Sequence, residues 1–203
     1  MNPFDQGYYD EHELKNAGFK SIGQNVKIAK NCTIIGLQNI SIGNNVRIDD
    51  YCSILADNNG WCRIGSFIHI GAYSFLSAGD GIQMEDFSGL SQGVRIYSKS
   101  DDYSGNYLTN PTVPEKYSGV KKGMVRIGRH VIIGSGAVIL PNISIGEGSS
   151  VGALSLVATS IAPWCIYAGC PAKWIKSRSK QLLALEAKLI QEVTNNDNKY
   201  GVG

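Results

Sequence analysis

Residues 125–157 read VRIGRHVIIGSGAVILPNISIGEGSSVGALSLV. Within this stretch Ile127, Ile133, Ile139, Ile145, Val151 and Val157 recur at every sixth position without a slip. Two residues before each stands a second small or apolar side chain: Val125, Val131, Ala137, Ile143, Ser149 and Ser155. A helix repeats about every 3.6 residues and a strand about every 2, so neither runs through this pattern. A strand of about three residues, with two side chains facing inward and a corner after it, does. Three such units return the chain to its start and close one triangular coil of 18 residues. Stacked coils pair strand on strand, in parallel, about 4.8 Å apart. The fold class is therefore an all-β solenoid, in which each coil touches only its neighbours.

The register extends towards the N-terminus. Ile22, Ile28 and Ile34 make a first coil, and Ile42, Ile48 and Ile54 a second. Ile64, Ile70 and Leu76 make a third, and Met84, Leu90 and Ile96 a fourth. The quoted stretch supplies two more, for about six coils. Glycine follows the isoleucine at Ile22, Ile42, Ile64, Ile70, Ile127, Ile133 and Ile145. Its permissive dihedrals are expected to serve the corners.

Three segments emerge: an N-terminal helical or irregular piece (1–20), the β-helix (21–176) and a C-terminal helix and tail (177–203). The β-helix is interrupted by a polar, tyrosine-rich excursion at 98–124, long enough to be functional or mobile. In the tail, Leu182, Leu185, Leu189 and Val193 stand at helical spacing and predict an amphipathic helix from Ser177 to about Val193 that caps the last coil.

Composition narrows the function. Apolar residues make up 43% and charged residues 18%, enough for a packed core. A net charge of +2 lacks the basic face a general nucleic-acid binder needs. No apolar run is long enough for a transmembrane helix, and the acidic start does not read as a signal peptide, so a cytoplasmic location is expected. Five cysteines without a C-x-x-C pair read as buried thiols, not as a disulfide framework or a zinc site.

The hexapeptide register, the excursion between the fourth and fifth coils, and the segment from Ile133 to Lys176 together resemble the hexapeptide-repeat acyltransferases. The nearest branch looks like the galactoside, maltose and surface-polysaccharide sugar O-acetyltransferases. The resemblance covers roughly residues 20–176, and the ending Tyr167-Ala168-Gly169-Cys170-Pro171-Ala172-Lys173 is its more specific part. It implies a left-handed β-helix, against the usual right-handed crossover preference. It implies a homotrimer too, with faces carrying Ile132 and Phe75 packed under threefold symmetry and acetyl-CoA lying in the groove between two prisms. Coenzyme contacts are then expected at Ser135, Gly136, Gly152 and Ala153, where small residues expose backbone to the pantetheine arm. Lys173, Lys176 and Arg178 would meet the nucleotide phosphates. Gly134 or Gly136 would donate an amide to the oxyanion. One departure is Ala158-Thr159-Ser160, where many relatives carry Thr-Lys-Asp, so a common lysine contact is missing.

The base is the larger departure. Sugar acetyltransferases of this kind place a histidine after a phrase that here reads Ile96-Tyr97-Ser98-Lys99-Ser100-Asp101. Asp101, followed by Asp102, stands in its place. Of the three histidines, His12 reads as a surface residue and His130 as a corner residue. His69 lies between inward Ile68 and Ile70 and so faces outward, towards the expected groove. His69, Asp101 and Asp102 are the catalytic candidates: His69 as base, a carboxylate as base, or a carboxylate that orients His69 from the adjacent subunit. Tyr97, Tyr103 and Tyr107 are expected to stack on the acceptor sugar. The leading expectation is an acetyl-CoA-dependent O-acetyltransferase on a sugar or polysaccharide precursor. An amine acceptor, as on an amino sugar nucleotide, lowers the demand for a base and is the alternative, with a non-catalytic β-helix as a third reading. A zinc lyase on this fold needs three converging histidines, and the coils hold two, so no metal is expected.

Overall fold

The computed structural model describes residues 6–199. It is a β-solenoid whose strands form three sheets, one per side of the prism, parallel except for the last strand pair of the second. The first face stacks Ser21–Ile22, Ile40–Ile42, Cys62–Ile64, Ile82–Met84, Val125–Ile127 and Ser144–Ile145. The second stacks Val26–Ile28, Val46–Ile48, Ile68–Ile70, Gly89–Leu90, Ile132–Ile133 and Ser150–Val151, then continues into Cys165–Ala168 and Lys173–Ser177. The third stacks Thr33–Ile35, Ser53–Leu55, Phe75–Ser77, Arg95–Tyr97, Val138–Ile139 and Leu156–Val157.

The inward positions read from the hexad register are buried in every coil except at the open first one, where Ile22 and Ile34 are partly covered. Ile70, Ile96, Ile133 and Ile139 are wholly inaccessible. Burying each such side chain contributes about 1.5–3 kcal/mol before chain entropy is counted.

The solenoid runs past the six expected coils into a partial seventh. Ile161 bridges Ile145 on the first face, and Ile166 and Tyr167 pair with Ser150 and Val151 on the second. The step from Val157 to Ile161 is shorter than six residues, which takes this coil out of the hexad register.

The corners work differently from the expectation. The glycine after each isoleucine is not the left-handed residue. That conformation falls two residues later, at Asn25, Asn45, Phe67, Tyr73, His130 and Gly136. The isoleucine-following glycines are needed because the next coil presses on them: a Cβ on Gly134 would lie 2.5 Å from the Ala153 nitrogen. Left-handed side chains stack along the edges instead. Phe67 lies on Phe87 (centroids 4.7 Å apart) and Phe87 on His130 (5.2 Å).

The excursion at 98–124 is partly ordered by its own hydrogen bonds. Lys99–Ser100 pairs antiparallel with Lys121–Lys122, and a 3-10 turn covers Glu115–Tyr117. At the N-terminus a short helix α1, Glu11–Asn16, begins with a capping box between Asp10 and Glu13 and buries Leu14 over the first coil. At the C-terminus the helix, α2, begins at Leu182 and extends to Lys199. Ser177 belongs to a strand, because Lys173–Ser177 folds back on Cys165–Ala168. Helix α2 reaches the fifth coil, where Glu186 pairs with Arg129 and His130. Its Leu185 and Leu189 stay exposed. No described helix is long and apolar enough to cross a membrane.

Candidate active site

His69 is the middle residue of its strand and is exposed on the second face. In register with it on the coil before is Arg47. Two residues after Arg47, past inward Ile48, comes Asp49. Its Oδ2 lies 2.7 Å from His69 Nε2, and its Oδ1 accepts a 2.6 Å bond from Arg47 Nε. Partial burial works against the Asp49 charge, but the bonds from His69 and Arg47 outweigh it and hold the carboxyl below the ordinary aspartate value. An ionised carboxylate only accepts, so Nε2 carries the proton and donates. The lone pair of neutral His69 is then on Nδ1.

His69 opens on a cleft of 220 Å³ together with Gly71, Gly89, Ser91, Gln92, Ile132 and Ser135. Ser135 is thus brought to His69 from two coils away. Gly136 turns the adjoining corner with φ +69°. Gly152 and Ala153 lie one coil further on. There a Cβ on Gly152 would meet the Ala168 side chain at 2.8 Å, so the last turn of chain already uses that space. The amides of Gly134 and Gly136 are committed to Val151 and Gln92 carbonyls at 2.8 and 2.9 Å, which removes both as the expected oxyanion donors.

A second hollow, of 700 Å³, lies between the excursion and the third face. Tyr97, Asp101, Tyr103 and Lys122 line it, with Val138 and Leu140 as its floor. Tyr97 leans on Phe75 with centroids 5.7 Å apart. Tyr107 does not join it: its ring fills the space beside Gly119 within the excursion. Asp102 is 8% exposed and accepts from both the Ser104 amide and hydroxyl, at 2.9 and 2.5 Å. The Ser104 hydroxyl bond holds its carboxyl low, so Asp102 closes a turn through Oδ2. Asp101 and His69 open on different hollows on different faces of one chain. Within one chain the carboxylate on His69 is Asp49.

At the C-terminal end of the second face, Lys173 and Lys176 are exposed on the folded-back strand. Arg178 is not free in the same way. Its Nη1 donates to the carbonyls of His130, Gly148 and Ser149, clamping the strand end to the fifth and sixth coils. His130 is 8% exposed and held by Glu186 at 2.9 Å, as befits a corner residue. Asp49, Ser91, Gln92 and Gly89 were not among the sequence candidates. Writing the coils in columns, which sets Arg47 beside His69, is the signal that reaches Asp49. No group of three His, Cys, Asp or Glu side chains among the described residues is placed to hold a metal.

The chain matches the family described as bacterial transferase hexapeptide (six repeats) over residues 124–159. It is 46% identical over 180 residues to a dTDP-4-amino-4,6-dideoxy-D-glucose acyltransferase of Escherichia coli, covering 89% of this chain and 93% of that one. It also resembles AntD, an N-acyltransferase from Bacillus cereus solved with dTDP and 3-hydroxybutyryl-CoA, at 43% identity and a TM-score of 0.89. That match covers 93% of this chain and 99% of AntD. A galactoside acetyltransferase solved with coenzyme A shares the fold at 21% identity and a TM-score of 0.52, covering 84% of this chain and 70% of that one. The hand of the coils is the left-handed one of this acyltransferase fold. The chain is an acyltransferase and belongs to the hexapeptide-repeat transferase family.

Proposed function

We propose that this enzyme transfers an acyl group from coenzyme A to the amino group of a nucleotide-activated amino sugar. The observation that carries the reading is the likeness along nearly the whole chain to an acyltransferase and an N-acyltransferase, both named for or solved with dTDP-linked ligands. This favours nitrogen over the sugar hydroxyl expected from the sequence. The more distant galactoside enzyme supports the fold alone.

The amine nitrogen attacks the thioester carbonyl, the carbon–sulfur bond breaks, and coenzyme A leaves as its thiolate. The attacking amine must give up a proton. In our reading His69 Nδ1 takes it, since Asp49 fixes the Nε2–H tautomer. Ser91 borders the same cleft. Solved variants of AntD alter an aspartate and a serine ten positions before it. Ser91 and Asp101 form the one serine–aspartate pair of that order and spacing in this chain. We assign Asp101 to holding the ammonium form of the substrate, and Ser91 to a hydrogen bond with its nitrogen. Because Asp101 and His69 open on different faces, the reading also proposes a homotrimer, in which one copy's excursion faces the next copy's His69 cleft. Lys173 and Lys176 are proposed for the coenzyme phosphates.

The test is thiol release from acetyl-CoA by the purified protein. Release that depends on a dTDP-linked amino sugar supports the reading. Release with hydroxyl sugars only, or with none of these acceptors, contradicts it.

A further inference from the structure

Gly89 differs from every other described glycine. Each of the others has φ in the left-handed region or has an atom closer than 3.4 Å to where a Cβ would stand. Gly89 has neither. A Cβ there would meet only the His69 carbonyl oxygen and Ile132 Cδ1, both at 3.6 Å, which is ordinary contact. The fold would accept alanine at this position, so neither backbone conformation nor packing explains the glycine.

Its place shows what the missing side chain leaves open. Gly89 pairs in register with His69 on one side and Ile132 on the other. The outward column of the second face therefore runs Lys27, Arg47, His69, Gly89, Ile132, Ser150, with one empty rung. The His69 ring is tied to Asp49 on the preceding coil, on the side away from that rung. Ile132, 41% exposed, forms the other wall. Ser91, Gln92 and Ser135 border the mouth. One rung is about 4.8 Å high, which matches the thickness of an unbranched acyl chain.

We propose that the Gly89 rung receives the acyl chain of the donor, and that Gly89 and Ile132 together gauge its length. The inference rests on the acyl-CoA reading above and adds what selects the acyl group. A methyl on residue 89 shortens the slot from its floor, while truncation of Ile132 opens it sideways. The walls also place the carbonyl end of a bound acyl group beside His69.

The experiment compares wild type, Gly89→Ala and Ile132→Ala with acetyl-, butyryl- and hexanoyl-CoA and one amino sugar nucleotide, reading kcat/KM for each donor. The butyryl-to-acetyl ratio should fall about 10-fold or more in Gly89→Ala, the discrimination one carbon gives in an apolar pocket. In Ile132→Ala the hexanoyl-to-acetyl ratio should rise. Ratios that stay at the wild-type value in both variants overturn the proposal, as does a change confined to acceptor preference. A Gly89→Ala protein that fails to fold, seen as loss of its melting transition, overturns the premise that a methyl fits. Wild-type protein without thiol release from any donor overturns the acyl-transfer reading itself, whereas an active wild type with unchanged ratios overturns only the slot.

Discussion

Asp49 Oδ2 and His69 Nε2 stand 2.7 Å apart across two adjacent coils, and Arg47 holds the other carboxylate oxygen. This geometry fixes the histidine tautomer. His69→Ala should therefore lower kcat by about 10²-fold, and Asp49→Asn by about 10-fold or more. The steady-state rate across a pH series checks it, because Asp49→Asn should move the pH profile as well as its height. A purely structural Asp49 would leave the profile in place.

The same pair has a consequence for acid stability. Asp49 gives up its proton at lower pH in the folded chain than in the unfolded one. Its stabilisation is fully present above the ordinary aspartate value of about 3.9 and is lost as pH falls through the depressed value. Asp49→Asn should narrow the gap in melting temperature between neutral pH and pH about 3. Thermal melts over that range test this, and an unchanged gap contradicts it.

Arg178 donates through Nη1 to three backbone carbonyls of the last coils. Arg178→Ala leaves them without that donor and should cost on the order of 2 kcal/mol. Urea denaturation measures this. If Arg178 served the coenzyme alone, stability would hold and only coenzyme A affinity would fall.

Asp101 and His69 line separate hollows of one chain. If the site forms between copies, His69→Ala and Asp101→Ala proteins, each impaired alone, should regain activity when refolded together. Mixed assemblies that stay as impaired as the single variants would contradict a shared site.

The solenoid was legible because a strict hexad admits few solutions. Ile127 to Val157 keep the spacing, and each is buried. The seventh coil was not, because Ile161 follows Val157 by four residues and breaks the count. The corners were misread for a physical reason: glycine after isoleucine marks close approach of the next coil, while residues such as Phe67 and His130 take the left-handed turn. In the site, alternation alone turned His69 outward. Asp49 escaped because its link to His69 runs between coils, and no local spacing encodes that. Arg178 read as a free cation because its partners are carbonyls, which leave no mark in a sequence.

Nitrogen is the proposed acceptor atom. The direct measurement is the linkage in the product formed from acetyl-CoA and dTDP-4-amino-4,6-dideoxyglucose, read by mass spectrometry before and after alkaline hydroxylamine. An amide survives that treatment, so the acetylated nucleotide sugar should keep its mass. A product that loses its acetyl group to hydroxylamine is an ester, which would rule out nitrogen as the acceptor.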